Sequence, residues 1–269
     1  MYCQKIILTH KKDYAIIEKS DWEDLLERSF GSIRCAHKRK FVMRSLAENF
    51  VNTAIKCGAL QFGNFTLKSG RRSPFFFNAA KYSSGKYIHA LATDYTITIL
   101  NNFDIEEIDV LFGPAYKGIS LAATVAYNIY ASDYDERSET NIRFCSDRKE
   151  AKDHGDKGSL VGAEIHDGDR VLMIEDVTTT GKSMDETIPL LKSIADVEIV
   201  GLVVALDRNE RGRNLRKTAQ EELAERYGIK IASIVTMPEV IEAGVSLGYI
   251  TSGWLMELDE YYNKYGVCR

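Results

Sequence analysis

Residues 170–183, RVLMIEDVTTTGKS, set two adjacent carboxylates between an apolar run and a turn with almost no side-chain bulk. Glu175 and Asp176 can accept hydrogen bonds from hydroxyl groups. The following Val177-Thr178-Thr179-Thr180-Gly181-Lys182-Ser183 can offer its backbone N–H groups to an anion. If a helix starts there, its free amides and the positive end of its dipole favour a phosphate. The acids would repel a phosphate they faced, so they make sense facing the hydroxyls of a sugar. This is not the ATP-type Gly-x-x-x-x-Gly-Lys-Ser loop, because Asp176 occupies the position of its first glycine. A strand–turn–helix with ordinary caps and no ligand is the bland alternative.

Four other segments carry groups that bear on such a ligand. Arg148, Lys149, Lys152 and His154 put four potential cations within seven residues, followed by glycines at 155, 158 and 162. A charge cluster is usually a solvated face. Mobility with dense cation content also suits a lid over a polyphosphate, excluding water and stabilising departing charge. His154 by itself reads as a surface histidine. Earlier, Pro114-Ala115-Tyr116-Lys117-Gly118 forms a fixed turn in which Gly118 allows close approach to a ligand and Lys117 offers a cation at a helix start. A routine strand–helix turn with a surface lysine is equally compatible. In 65-FTLKSGRRSPFFFNAA-80, three adjacent aromatics, Phe75, Phe76 and Phe77, cannot share one strand face, so at least one seeks a second surface: more core, or a flat heteroaromatic ring. Arg208, just after an apolar run, can grip a carboxylate bidentately.

The elements that must position these loops follow from periodicity. Val171 to Ile174 form a continuous apolar run, as in a strand covered on both faces. Met184, Ile188, Leu191 and Ile194 recur at helical spacing, with Ser183 or a neighbouring threonine expected as the cap. Further helices are predicted over 85–101, 117–130, 215–227 and 237–246, and strands over 109–113, 141–145, 170–175, 197–206 and 229–234, with a hairpin-like region over 60–78. Met43 is read as opening a helix whose face carries Leu46, Phe50, Val51, Ala54 and Ile55 and which Gly58 stops. Strands alternating with helices of this length predict an α/β fold with a mostly parallel sheet flanked by helices, its ligand loops at the carboxyl ends of the strands. Residues 1–42 show no sustained pattern apart from a short helix expected near 21–30. They are read as an N-terminal extension of unknown role, ahead of a catalytic region spanning 43–269.

The bulk numbers narrow the function classes. At 269 residues and 45% hydrophobic, the chain can bury one large core or two small ones. A net charge of −4 argues against a general nucleic-acid binder, so any anion site must be made locally. No run of 18 apolar residues is present, so no membrane span is expected. The five cysteines are scattered without a C-x-x-C pair, which favours a reducing cytoplasm over disulfides or a zinc site.

The strand, paired acids and small-residue turn at 171–183 resemble the binding motif of type I phosphoribosyltransferases for phosphoribosyl pyrophosphate (PRPP). Taken with FTLKSGRRSPFFFN, FGPAYKG, RKEAKDHG and LDRNERG in the same order, residues of about 43–240 resemble an orotate phosphoribosyltransferase. The resemblance implies the type I fold with a small N-terminal hood region, and transfer of the phosphoribosyl group from PRPP to orotate in pyrimidine biosynthesis. It implies that Lys68, Tyr116 and Lys117 contact PRPP, the last two as a pyrophosphate loop. Arg148, Lys149, Lys152 and His154 would belong to the lid, part of which reaches the neighbouring subunit's site in a homodimer. Glu175, Asp176, Val177, Thr178, Thr179, Thr180, Gly181, Lys182 and Ser183 would hold ribose and its 5-phosphate. Backbone groups at Phe76 and Phe77, with Thr179 and Arg208, would hold orotate, Arg208 through its carboxylate. Lys152, His154, Arg148 and Asp176 would act on the transfer step itself. Three features depart from the family pattern: Glu175 in place of Asp, the TTTGKS form of the turn, and the first 42 residues.

In the implied reaction an orotate nitrogen attacks the anomeric carbon as pyrophosphate leaves. No serine or cysteine nucleophile sits beside a base in the sequence, so catalysis is expected from positioning and electrostatics. Mg²⁺ is expected to be held through PRPP, with no direct protein ligand. Rival readings are a purine or uracil phosphoribosyltransferase, which has no use for Arg208, and a PRPP-sensing regulator, for which residues 1–42 offer no paired helix–turn–helix. Too little chain follows the last motif for a fused barrel domain of roughly 200 residues.

Overall fold

In the computed structural model, which describes residues 5–10, 13–18, 36–67, 70–132, 141–149, 159–177 and 181–267, the apolar run after Arg170 is the spine of the molecule. It forms β8 (Arg170–Val177), which pairs in parallel with β5 (Val110–Phe112) on one side and β9 (Glu198–Asp207) on the other. Beyond β9 lies β10 (Lys230–Thr236), and beyond β5 lie β6 (Arg143–Asp147) and β7 (Leu160–Gly162), giving the order β10-β9-β8-β5-β6-β7. Every neighbouring pair is parallel except β6 with β7.

Both faces of this sheet are covered, which is why its strands are apolar without alternation. Leu172 and Ile174 of β8 join one core cluster with α1 (Ala36–Lys56), α2 (Gly85–Asn102), α3 (Lys117–Ser132), α6 (Met237–Ser246) and α7 (Ser252–Tyr265). Val171 and Met173 join the other, beneath α4 (Lys182–Ile194) and α5 (Ala219–Tyr227). The period of two sends alternate residues to opposite layers. Two antiparallel hairpins stand apart from the sheet: β1 (Lys5–His10) with β2 (Asp13–Glu18), and β3 (Leu60–Thr66) with β4 (Arg72–Phe77). Phe75 and Phe77 of β4 are buried while Phe76 is exposed and stacks on Phe65 at 5.5 Å, as the three-aromatic argument requires.

Several expectations need correction. Met43 does not open α1; the helix begins at Ala36, because 36–42 contain neither Gly nor Pro to stop it. The α1 face Leu46, Phe50, Val51 and Ala54 is buried as expected, and the helix ends just before Gly58 with the paired hydrogen bonds Ala59 N–H to Ala54 O and Gly58 N–H to Ile55 O. Apart from a short helix no sustained pattern is expected over 1–42, yet Lys5–His10 and Asp13–Glu18 pair as an antiparallel hairpin, and the sequence between them holds no Gly or Asn turn cue. The helix expected near 21–30 lies outside the described residues. The helix expected from 215 starts at Ala219, since Thr218 caps it in a full capping box with Glu221. Gly162 belongs to β7 rather than to a loop, and α7 was not anticipated.

Candidate active site

The carboxyl ends of β5, β6 and β8 lie side by side, so the three loops that follow them share one edge of the sheet. At the end of β6, Asp147 accepts a hydrogen bond from the Ala115 N–H at 2.6 Å and pairs with Lys149 Nζ at 2.8 Å. That contact raises the Lys149 pKa and holds the ammonium charged. From the β5 loop, Lys117 Nζ reaches Asp176 Oδ2 at 2.5 Å. Two separate ion pairs thus hold cations at this edge, Lys149 on the acid of β6 and Lys117 on an acid of β8. Asp147 was not singled out in the sequence; its only signal is a carboxylate at a strand's carboxyl end, one residue before the Arg148-Lys149 pair.

Glu175 is the more deeply set of the two acids. Its side chain accepts a hydrogen bond from Ser183 Oγ, and its backbone carbonyl accepts one from the Tyr95 hydroxyl at 2.6 Å. Burial pushes the Glu175 carboxyl up to about 7; the Ser183 bond works against this and the neighbouring Asp176 charge adds to it. Ser183 therefore holds the acid at β8's end and does not cap α4. The N-cap is Gly181, with φ 73° and no side-chain cap bond. A side chain at 181 would be strained by that φ, and its Cβ would lie 2.1 Å from Leu223 Cδ2 on α5. Glycine lets α4 begin this close to α5.

The β5 loop depends on a second pair of glycines. A Cβ on Gly113 would lie 2.0 Å from Gly118 O, and one on Gly118 2.3 Å from the Gly113 carbonyl carbon. Gly118 thus serves the loop's own backbone crossing. Gly118→Ala is expected to destabilise the protein by roughly 3 kcal/mol. Equilibrium urea unfolding checks this, and an unchanged midpoint contradicts it. The Ala115–Tyr116 peptide within this loop is cis. Tyr116 is exposed and Lys117 half-exposed.

Arg148 stays at the foot of its segment, its N–H bonded to Ser159 O at 2.8 Å and its Nε to Leu160 O at 3.0 Å. Lys68, Lys152, His154, Thr178, Thr179 and Thr180 lie outside the described residues; Lys182 opens α4. Arg208 follows β9 and is buried, its guanidinium 4.1 Å above the Phe75 ring. Its Nε and Nη2 both approach Glu210 Oε1, at 2.8 and 2.7 Å. Burial disfavours the charge, but Glu210 and Tyr261 outweigh it and the pKa is raised. The bidentate fork expected for a ligand carboxylate is therefore already engaged on one edge. Glu210, Ser73, Arg71 and Tyr261 were missed as neighbours of Arg208. Ser73 and Arg71 lie within the quoted FTLKSGRRSPFFFN stretch, but Tyr261 is 53 residues from Arg208 and nothing local points to it.

A doubly covered parallel sheet whose β8 ends in paired acids and a glycine-started helix defines a phosphoribosyltransferase site. Residues 80–235 match the family described as "Phosphoribosyl transferase domain". An orotate phosphoribosyltransferase of Clostridium beijerinckii is 46% identical over 231 residues, covering 83% of this chain and 99% of the relative. One from Agathobacter rectalis is 46% identical over 230 residues, with the same coverage. The crystal structure of an orotate phosphoribosyltransferase from Francisella tularensis superposes with a TM-score of 0.66 at 32% identity, covering 81% of this chain and 98% of that one. The chain belongs to the orotate phosphoribosyltransferase family. Among the described residues no helix is long and apolar enough to cross a membrane.

Proposed function

We propose that this chain transfers the 5-phosphoribosyl group of PRPP to orotate, giving orotidine 5′-phosphate and pyrophosphate. The observation that carries the reading is the placement of Glu175 and Asp176 at the end of β8, directly ahead of the glycine-started α4, with Lys117 in contact with Asp176. The acids accept the ribose hydroxyls, the amides of 178–183 take the 5-phosphate, and Lys117 with Tyr116 meets the pyrophosphoryl group. The Lys117–Asp176 pair is half-exposed, and such pairs contribute no more than about 1 kcal/mol. Phosphate oxygens can therefore take over Lys117 at little cost. Arg208 meets the orotate carboxylate beside the backbone of Phe76 and Phe77.

Positive charge develops on the anomeric carbon and negative charge on the leaving pyrophosphate as the orotate nitrogen attacks. Asp176 and Glu175 steady the ribose; Lys117, Lys149 and the 148–154 cations stabilise the leaving group and exclude water. Among the described residues no cluster of three or more His, Cys, Asp or Glu side chains forms a metal cage. The site acids Asp176, Asp147 and Glu175 are engaged with Lys117, Lys149 and Ser183 respectively. This donor set fits Mg²⁺ arriving on the phosphate oxygens of PRPP, where the ion spreads negative charge. We assign catalysis to residues 43–269, with 1–42 as an extension, and a cytoplasmic homodimer in which part of the 148–154 lid of each subunit reaches its partner's site. The experiment is a panel of orotate, uracil, adenine and hypoxanthine, each mixed with PRPP and Mg²⁺ while pyrophosphate release is followed. Release with orotate alone is expected; release with any other base in preference to orotate overturns the assignment.

A further inference from the structure

The 208–211 segment is fastened to a helix that carries none of the family motifs. Tyr262 donates its hydroxyl hydrogen to Arg208 O at 2.7 Å, and the Arg211 N–H reaches Tyr265 O at 2.9 Å. The Arg211 side chain bonds Asn263 O at 3.1 Å and Gly266 O. Within this frame two hydroxyls bracket one nitrogen of the buried guanidinium. Arg208 Nη2 donates to Ser73 Oγ at 3.1 Å and to the Tyr261 hydroxyl oxygen at 3.3 Å. Tyr261 in turn donates to Glu210 Oε1 at 2.6 Å, while Glu210 Oε2 accepts from Arg71 Nη1 at 2.6 Å. The Tyr261 ring packs edge-on against Phe75, the ring beneath the guanidinium.

Two consequences follow. Nε and Nη2 are committed, whereas no described residue bonds Nη1, so Arg208 can rotate into service only as far as its brackets allow. The cluster also holds two guanidiniums and one carboxylate, a net single positive charge that one substrate carboxylate neutralises.

We propose that Tyr261 and Ser73 are positioning residues that fix the Arg208 guanidinium for the substrate carboxylate, which makes α7 a determinant of specificity for a carboxylated base. The inference rests on the reading that Arg208 takes the orotate carboxylate. Tyr261→Phe keeps the ring on Phe75 and removes only the hydroxyl. It raises KM for orotate about tenfold while kcat and the PRPP affinity stay within about twofold. Ser73→Ala, which leaves α7 intact, shifts the same constant in the same direction and serves if the tyrosine variant does not fold. In a cycle with Arg208→Lys, the orotate effects of Tyr261→Phe and Arg208→Lys are strongly non-additive, because the hydroxyl acts through the guanidinium. Purely structural support would instead lower stability and weaken both substrates additively, and that result overturns the inference. So does weakening by Arg208→Lys with none by Tyr261→Phe and Ser73→Ala. Unchanged orotate KM in Arg208→Lys overturns the underlying reading of Arg208 instead.

Discussion

Replacing Glu175 with Gln stabilises the free protein by about 3 kcal/mol at pH 8 and leaves its stability nearly unchanged at pH 4. The size follows from a carboxyl whose ordinary value of 4.5 is raised to about 7 in the folded chain, chiefly by burial. A raised carboxyl pKa means that folding opposes the ionised form. The penalty is absent below 4.5, grows as pH rises between 4.5 and 7, and is complete above 7. Gln keeps the length of the side chain and an oxygen that accepts from Ser183, but carries no charge to bury. The same change weakens PRPP binding about ten- to a hundredfold at pH 8, since a charge-assisted hydrogen bond from a ribose hydroxyl is lost. That difference from wild type shrinks as pH falls through 7 and Glu175 takes up a proton. Chemical unfolding at the two pH values, with PRPP titrations alongside, checks both halves. Equal stabilities at pH 8 contradict the burial argument, and equal PRPP affinities contradict the ribose role. A site that holds an ionised acid against its burial stores instability that substrate relieves.

Lys152→Ala lowers kcat by about a hundred- to a thousandfold while the protein stays folded and PRPP affinity falls much less. Asp147 holds both Lys149 and the Ala115 N–H, and Arg148 is bonded to Ser159 and Leu160, so the ends of 149–159 spring from beside the Tyr116-Lys117 loop. Under the proposed function, the cations of 148–154 act on charge that appears on pyrophosphate as it leaves, more than on charge already present in bound PRPP. An interaction made only in the transition state shows in kcat. Single-turnover kinetics with circular dichroism on the variant checks it, and a rate near wild type in a folded sample removes Lys152 from the transfer step.

How far these groups were legible in the sequence differs with their distance along the chain. The β8–turn–α4 unit was readable because a single stretch holds the apolar run, the acids and the glycine. Even there the cap was misassigned: Ser183 looks like a cap by residue type, but the positive φ of Gly181 starts α4 and frees the hydroxyl for Glu175. The order of strands and helices was readable from periodicity, with boundary errors at 36 and 219 where helix-forming residues or a capping box decided the start. β7 escaped because three residues completing an antiparallel edge carry no period of their own. The tie between Arg208 and Tyr261 escaped for a different reason. It spans from the end of β9 to α7, whose inward residues Trp254, Leu258, Tyr261 and Tyr265 recur at helical spacing but carry no motif. Pairings made by tertiary folding leave no local trace.

The most direct test is calorimetric titration of PRPP with Mg²⁺ into folded protein, run at two temperatures so that a vanishing enthalpy at one cannot conceal binding. A saturable uptake of PRPP that Glu175→Gln weakens is the expected result. Absence of any heat at both temperatures would contradict the claim that the turn after β8 receives a phosphorylated ribose.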